Sequence, residues 1–330
     1  MAKLPITIAC GPYDRVRALR NGRVVIDGCE ANFLTGGPEE LFFRAIKHQE
    51  FDICEMSMSS YMMALSRNEA YYLPIPVFLS RVFRHSSIYI RTDRGIREPK
   101  DLVGREVGVP EYQMTAALWA RGILEDEYGI PPSAIKWRTG GLHQAGRSEK
   151  IKLKLPSDID VKPIPADKSL DGMLRNGELD AVVSARAPRS HDKKLPNIGR
   201  LFPKYKQVES DYFAKTGLFP IMHTLGIRRP LVEQHPWLAN SLFNAFLEAK
   251  NIALAEIRDI DALAVTLPWL NDEIDQTIEL MGDDYWPYGV EPNRRTLEAM
   301  VRYAHRHGVT ARQLSVDELF VRSTSDRFKV

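Results

Sequence analysis

ITIACGP, at residues 6–12, is a short apolar and partly β-branched run that ends in a Gly-Pro pair. This pattern predicts a buried β-strand whose carboxyl end leads into a loop. The same pattern recurs downstream, with strands predicted over 31–34 and 52–56, a helix over 38–48, and a helix capped by Ser59 or Ser60. Alternating strands and helices predict an α/β fold that binds ligands beyond the carboxyl ends of its strands.

A second α/β series follows, and the chain becomes mostly helical after about residue 236. Its strands are predicted over 106–109, 135–138, 161–164 and 181–184, its helices over 115–128 and 170–176, and an extended apolar return segment lies within 212–228. This order predicts two lobes, each a mixed sheet flanked by helices, with a ligand cleft between them. Lobe I is predicted to contain 1–92 and 191–330, and the inserted lobe II to contain 93–190.

Composition narrows the class of protein. Of the 330 residues, 44% are apolar and 27% are charged, as in ordinary globular proteins. The net charge of +2 has no single-sign block, so no nucleic-acid partner is expected. No apolar export segment or membrane span is visible, and Cys10, Cys29 and Cys54 form no CxxC motif. We expect a cytoplasmic protein with a small-molecule partner, while a homo-oligomer stays open.

Loops at strand ends of lobe I hold the first candidate binding residues. Arg15 can clamp a carboxylate and Asp14 can hold that guanidinium, although a surface ion pair is an equal alternative. Ser57 and Ser59 can bind an anion at a helix start, but helix capping explains them as well. Glu55 is unusual, because a carboxylate in a buried strand must be paired or must have a raised pKa.

Cations and histidines cluster where the chain is predicted to cross between lobes. Arg81 and Arg84 can hold a dianion, and His85 can transfer a proton near neutral pH. His223, inside an apolar segment that returns beside the cleft, is a second candidate for proton transfer. For each of these residues a purely structural role stays open.

Strand ends and helix starts of lobe II supply the remaining candidates: Glu111, Tyr112, Gln113, Thr115, Arg138, Thr139, Gly140 and Arg186. Glu111 and Gln113 can bind hydroxyl groups, and Tyr112 can stack on a ring. The alternatives are helix capping and ordinary turns. No GxGxxG, GxxxxGK[ST] or GxSxG motif occurs, and no histidine pair has metal-ligand spacing, so we expect no dedicated metal site.

Four segments resemble the 4,5-dihydroxyphthalate decarboxylase family over nearly the whole chain: SRVFRHS at 80–86, VPEYQMTA at 109–116, GELDA at 177–181 and TGLFPIMH at 216–223. The resemblance implies a fold like that of type II periplasmic binding proteins. It also implies conversion of an aromatic dicarboxylate, 4,5-dihydroxyphthalate, to protocatechuate and carbon dioxide with no organic cofactor. A divalent metal is not excluded, because a catechol can itself chelate one.

A mechanism can be assigned to these residues as a hypothesis. Arg15, Arg81 and Arg84 would hold carboxylates, His85 or His223 would protonate the ring, and Glu111 with Gln113 would bind the catechol hydroxyls. The main alternative is a solute-binding protein without catalysis, since the same fold serves both functions. An effector-binding half of a transcription regulator is a third interpretation, opposed by the lack of a basic face or helix-turn-helix.

Overall fold

Two mixed β-sheets flanked by helices make up the computed structural model, which describes residues 2–149 and 151–324. The strands are β1 (Leu4–Cys10), β2 (Cys29–Thr35), β3 (Ile53–Ser57), β4 (Tyr72–Arg81), β5 (Ile88–Arg91), β6 (Glu106–Val109), β7 (Lys136–Thr139), β8 (Val161–Pro163), β9 (Ala181–Val183), β10 (Ile198–Arg200) and β11 (Ile221–Arg228). The helices are α1 (Asp14–Arg20), α2 (Pro38–His48), α3 (Met58–Ser66), α4 (Thr115–Tyr128), α5 (Leu170–Asn176), α6 (Arg189–Asp192), α7 (Tyr205–Thr216), α8 (Arg229–Gln234), α9 (Leu238–Ile257), α10 (Leu270–Met281) and α11 (Arg294–Arg306). Short 3₁₀ turns lie at His85–Ser87, Thr92–Arg94, Pro99–Leu102, Pro132–Ala134, Glu291–Asn293, Val316–Glu318 and Arg322–Thr324.

The first sheet has five strands in the order β2-β1-β3-β11-β4. The first three are parallel, whereas β11 runs antiparallel to both β3 and β4. This late strand returns from beyond residue 220 and inserts between two early strands. The first lobe, defined as this sheet with its helices, is therefore built from both ends of the chain.

The second sheet has six strands in the order β10-β5-β9-β6-β7-β8, and it defines the second lobe with its helices. Strands β9, β6, β7 and β8 are parallel, and β5 is antiparallel to β9 and β10. Because β5 and β10 belong to this sheet, the sheet extends past both predicted limits of the insert, residues 93 and 190. The chain crosses between sheets in the short segment between β4 and β5.

Most predicted elements are confirmed, and one detail is wrong. The helices predicted over 38–48, 115–128 and 170–176 have those bounds. The cap of α3 is Ser57, whose side chain accepts a hydrogen bond from the Ser60 amide, rather than Ser59 or Ser60. The extended return segment predicted within 212–228 is confirmed as β11, and residues 212–216 complete α7.

The two lobes pack against each other through helices as well as through the chain crossings. Trp119 of α4 in the second lobe is fully buried, and its indole Nε1 donates to the Ile221 carbonyl of β11 at 2.9 Å. The apolar face of α11 packs against α3 and α4. Among the described residues, no helix combines the length and apolar character that crossing a bilayer requires.

Candidate functional site

A cavity of about 550 Å³ opens where the loops of the two lobes face each other. Its volume falls within the range of about 300–1,000 Å³ that is usual for small-molecule sites. The first lobe contributes the starts of α2, α3 and β11, and the second lobe contributes three loops. The residues that line the cavity are Pro38, Glu39, Phe42, Ser57, Ser60, Arg84, Pro110, Glu111, Gln113, Met114, Thr115, Ala116, Gly141, Leu142, His143, Gln144, Ala145, Gly146, Arg147, Ser184, Ala185, Arg186, Arg189, Met222 and His223.

A buried carboxylate holds a histidine on the wall of this cavity. Glu55 is fully buried, and its Oε1 lies 2.6 Å from His223 Nδ1. Tyr13 Oη donates to the same oxygen at 2.6 Å, and the Gly11 amide donates to Oε2 at 2.9 Å. With Nδ1 engaged by Glu55, Nε2 is the imidazole nitrogen left for a bound molecule.

The strand register explains why these two side chains meet. His223 of β11 pairs with Ser57 of β3, and Leu225 pairs with Glu55. Glu55 and Ser57 are two positions apart and share a face of the sheet, so Glu55 and His223 are diagonal neighbours on that face. The pairing of β11 with β4 shifts register on both sides of His223. Such bulges re-aim side chains near functional sites.

The loop after β1 is shaped to cover the buried carboxylate. A Cβ on Gly11 would lie 2.8 Å from the Tyr13 ring, so only glycine allows that ring to fold back toward Glu55. Burial raises the pKa of Tyr13, and the Glu55 charge raises it further, so the phenol keeps its proton and acts as a donor. Burial also acts to raise the pKa of Glu55. The hydrogen bonds from His223, Tyr13 and Gly11 outweigh burial, so the pKa of Glu55 lies below its ordinary value and Glu55 is ionised.

Hydroxyl groups join the two lobes at the floor of the cavity. Thr115, at the start of α4, has its Oγ1 2.9 Å from both Ser57 Oγ and Ser59 Oγ. The Ser59 hydroxyl also donates to the Gln113 carbonyl at 2.6 Å. Two helix starts therefore face one another, and the dipoles of both favour an anion between them.

A chain of polar contacts spans the cavity rim. Ser60 Oγ donates to Gln113 Oε1 at 3.0 Å, and Gln113 Nε2 donates to Glu111 Oε2 at 2.9 Å. Glu111 Oε1 lies 2.5 Å from Arg147 Nη2, and Arg147 Nη1 lies 2.8 Å from Glu39 Oε2. Because Ser60 and Glu39 belong to the first lobe and the others to the second, this chain crosses between the lobes twice.

Three further arginines give the cavity wall its positive charge. Arg84 is buried, with Nε 3.2 Å from the Met222 sulfur and Nη1 3.3 Å from Ser87 Oγ. Burial lowers the pKa of Arg84 to about 10, so Arg84 is still a cation at neutral pH. Arg186 and Arg189 are exposed on the rim and form no ion pair with any described residue.

Many of the predicted residues meet at this cavity. Those that line it are Ser57, Arg84, Glu111, Gln113, Thr115, Arg186 and His223. Glu55 and Ser59 lie directly behind the lining, bonded to His223 and to Thr115. Both lobes thus contribute to one site, as the order of elements predicted.

The other predicted residues are held elsewhere, and none of them lines the cavity: Asp14, Arg15, Arg81, His85, Tyr112, Arg138, Thr139 and Gly140. Arg15 lies behind Tyr13, donates to the Leu79 carbonyl and stacks 4.4 Å from the Trp286 ring. Asp14 is an exposed ion-pair partner of Arg15, which is the alternative considered for this pair.

Arg81 and His85 serve the protein interior. Arg81 is 4% exposed and donates to Asn293 Oδ1 and to the Phe219 carbonyl, each at 2.7 Å. His85 is 1% exposed and packs against the rings of Phe202 and Tyr212. Burial lowers the pKa of His85 to about 4, so its imidazole is neutral at physiological pH.

The remaining second-lobe residues have structural partners. Tyr112 is fully buried beneath the Arg121 guanidinium, 3.7 Å from its ring centroid. Arg138 pairs with Glu106 and Asp160. Thr139 ends β7, and a Cβ on Gly140 would lie 2.4 Å from Ile164, so close packing explains this glycine.

Sequence reasoning missed several cavity residues, above all Arg147, Arg189 and His143. Arg147 and His143 lie in a loop without regular structure, where no periodic pattern marks an inward side chain. The QAGR segment at 144–147 does pair a glycine with a cation after a strand end, which is the signal that could have indicated this loop. Over residues 2–149 and 151–324, no group of three or more His, Cys, Asp or Glu has the arrangement of a metal site.

Comparison with solved structures identifies the general fold of the protein. The structure aligns with the periplasmic aliphatic sulphonate binding protein SsuA from Escherichia coli at a TM-score of 0.53, with 98% of this chain and 99% of that chain covered. The identity is 13%, so the likeness shows the fold alone, that of type II periplasmic binding proteins. No protein-family model matches the chain.

Sequence relatives identify the family. The chain is 43% identical to a 4,5-dihydroxyphthalate decarboxylase from Comamonas testosteroni over 330 residues, the full length of both proteins. It is 46% identical to one from Pseudomonas putida over 213 residues, which cover 64% of this chain and 83% of that protein. The chain belongs to the 4,5-dihydroxyphthalate decarboxylase family, which confirms the resemblance and favours the enzyme over the solute-binding alternative.

Proposed function

We propose that this protein is a carboxy-lyase that converts 4,5-dihydroxyphthalate to protocatechuate and carbon dioxide in the cavity between its lobes. The observation that carries the proposal is the 43% identity to a 4,5-dihydroxyphthalate decarboxylase over the whole of both chains. The cavity supplies the groups that this chemistry needs, namely cations for carboxylates, a proton donor and partners for hydroxyls.

The hydroxyl groups of the substrate activate its ring for protonation. Each carboxylate lies para to a phenolic hydroxyl, so oxygen electrons stabilise the positive charge when the carbon that bears the carboxylate accepts a proton. The bond from that carbon to the carboxylate then breaks, and its electron pair returns to the ring. One proton is consumed, and the dianion yields carbon dioxide and the protocatechuate monoanion.

His223 is the proton donor in this proposal. It lines the cavity, whereas His85, the other histidine considered, is enclosed by aromatic rings. The ionised Glu55 at 2.6 Å accepts from Nδ1 and orients the imidazole, so that Nε2 is the atom that passes a proton to the ring. Phe42, edge-on to the imidazole at 4.9 Å, fixes the ring from the cavity side. Solvent restores the proton after each turnover.

Arginines hold the two carboxylates in the proposed complex. Arg84 is a buried cation that contacts the sulfur of Met222, the residue before His223. We therefore assign Arg84 to the retained carboxylate. Arg186 and Arg189 stand on the rim without ion-pair partners among the described residues, and they are suited to guide the second carboxylate inward.

The polar floor is assigned to the catechol. Ser57, Gln113 and Thr115 offer hydroxyl and amide groups that can donate or accept, and the Glu111 carboxylate can accept from a phenol. A phenolic proton that hydrogen-bonds to the Glu111 carboxylate helps the oxygen to supply electrons when the ring accepts its proton. That the protein is cytoplasmic and that it needs no added metal are predictions. Turnover measured after exhaustive chelation tests the prediction about metal.

Product analysis tests the proposal. The protein is incubated with 4,5-dihydroxyphthalate, 3,4-dihydroxyphthalate and phthalate, and carbon dioxide and aromatic products are measured by mass spectrometry. We expect equimolar protocatechuate and carbon dioxide from 4,5-dihydroxyphthalate and no release from phthalate, which lacks the para hydroxyl. Tight binding of the dihydroxylated acid with no carbon dioxide release would contradict the proposal and indicate a solute-binding protein.

A further inference from the structure

We propose a second anion-binding site beside the main cavity, one that takes a benzene dicarboxylate and delivers it to the reaction site. A separate cavity of about 260 Å³ lies in the second lobe, next to the rim of the main one. This volume is close to the lower end, roughly 300 Å³, of the range that is usual for small-molecule pockets. The cavity is therefore suited to one small ligand. The lining residues that bear on its chemistry are His143, Asp171, Arg175, Arg189, Ser190 and Lys193.

The charge of this smaller cavity selects an anion. Arg175, Arg189 and Lys193 face it, and none of the three forms an ion pair within the described part of the chain. Asp171, the one carboxylate that lines this cavity among the residues the structure describes, already accepts from Ser190, with its Oδ1 3.1 Å from the amide and 2.6 Å from the hydroxyl oxygen. Three cations thus face one carboxylate that already has partners, an arrangement that attracts a ligand with two negative charges.

Two residues connect the two cavities. His143 and Arg189 line both of them, so a ligand in the smaller cavity lies one side chain away from the main cavity. The Nδ1 atom of His143 is buried and has no hydrogen-bond partner among the described residues. A buried polar atom without a partner costs free energy, so the wall shared by the two cavities is incompletely satisfied in this structure.

The positive charges of the smaller cavity also indicate how this site acts on a dianionic ligand. A dianion held between Arg175 and Lys193 is kept at high local concentration next to Arg189 and Arg186, the exposed cations of the main rim. The delivery role rests on the proposed function, since it needs a dianionic substrate. Binding itself does not depend on catalysis.

Calorimetry with phthalate tests binding directly, because phthalate has both carboxylates and no hydroxyl that would allow turnover. Titrations are run at about 10 mM salt, where the Debye length is about 30 Å. We expect two equivalents per chain for the parent and one for Arg175→Gln/Lys193→Gln, whose residues line only the smaller cavity. The control Lys136→Gln/Lys204→Gln removes two exposed charges away from both cavities and should still bind two. A parent that binds one equivalent, or a double variant that binds two, overturns the proposal.

Kinetics test the delivery role separately. At low salt the kcat/KM of Arg175→Gln/Lys193→Gln for 4,5-dihydroxyphthalate should fall about three- to tenfold, with kcat unchanged, and the loss should vanish near 1 M salt. A loss that is independent of salt, or one confined to kcat, overturns delivery. If the parent shows no turnover, the proposed function fails, while the two-equivalent phthalate titration still decides whether the site exists.

Discussion

Replacing Glu55 by glutamine tests how the buried carboxylate supports His223. The two oxygens of Glu55 accept hydrogen bonds from three groups, His223 Nδ1, Tyr13 Oη and the Gly11 amide, at 2.6, 2.6 and 2.9 Å. Glutamine has nearly the same shape, but its amide nitrogen cannot accept. At least one buried donor therefore loses its partner, and the free energy of unfolding should fall by about 1–3 kcal/mol.

The effect on turnover should be larger than the effect on folding. Without the negative charge, the imidazole loses its charge-assisted hydrogen bond, and the ring is held by a weaker neutral contact. General acid catalysis contributes roughly 10²–10⁴-fold, so we expect kcat of Glu55→Gln to fall about a hundredfold while KM changes little. Stopped assays of protocatechuate formation give kcat and KM, and urea unfolding gives stability.

A double variant separates positioning from general damage. If Glu55 acts through His223, then Glu55→Gln/His223→Gln should be no slower than His223→Gln alone, because the residues work as a unit. Glu209→Gln is the matched control, since Glu209 accepts from the Ser86 amide at 2.9 Å and does not line the cavity. Parental kcat in Glu55→Gln, or losses that multiply in the double variant, would refute the reasoning.

Three further predictions concern the rim, the interior and the floor. Arg147→Gln should raise KM about tenfold with a smaller change in kcat, whereas Arg138→Gln, an ion-paired arginine outside the cavity, should leave KM at the parental value. Because the folded-state pKa of His85 lies near 4, below the ordinary 6.5, only the unfolded chain gains this proton between those values. The contribution of neutral His85 to the free energy of unfolding, at most about 3 kcal/mol, should be lost as the pH falls from 6.5 to about 4. In urea unfolding at several pH values, His85→Phe should show a smaller loss than the parent, and its kcat should stay at the parental value. Thr115→Val should lower the free energy of unfolding by about 1 kcal/mol by calorimetry, since the contacts to Ser57 and Ser59 disappear.

The parts of the site that the sequence predicted share one physical property. Each of these residues lies between a strand and the helix that follows it: Ser57 ends β3, Glu111 and Gln113 follow β6, and Thr115 begins α4. Such positions in an α/β fold meet at one edge. Local periodicity was enough to place them. It also sufficed for the bounds of α2, α4 and α5, whose amphipathic or capped segments are short-range features.

The predictions that failed depended on distant contacts. Arg81 was assigned to the ligand because it lies near the crossover, yet its partners Phe219 and Asn293 are 138 and 212 positions away and hold it in the interior. His85 is close to the same crossover and faces Phe202 and Tyr212 instead of the cavity. Nearness to a lobe junction in sequence does not determine which way a side chain faces.

Contacts between residues far apart in the sequence also explain why the environment of Glu55 was predicted only in part. The sequence indicated that Glu55 needs a partner or a raised pKa, and the structure supplies the partner His223, 168 positions away, through the β3–β11 register. Arg147 was missed because its loop has no periodicity and its partner Glu39 is 108 positions away on the other lobe. A single sequence contains no local signal for such pairs.

The most direct test is to follow carbon dioxide release from 4,5-dihydroxyphthalate by the parent and by His223→Gln under the same conditions. With His223 as the proton donor, the parent should release one carbon dioxide per protocatechuate formed, and the variant should be roughly 10²–10⁴-fold slower. The variant should still bind the substrate, through Arg84 and the rim arginines. A variant that releases carbon dioxide at the parental rate would contradict the account.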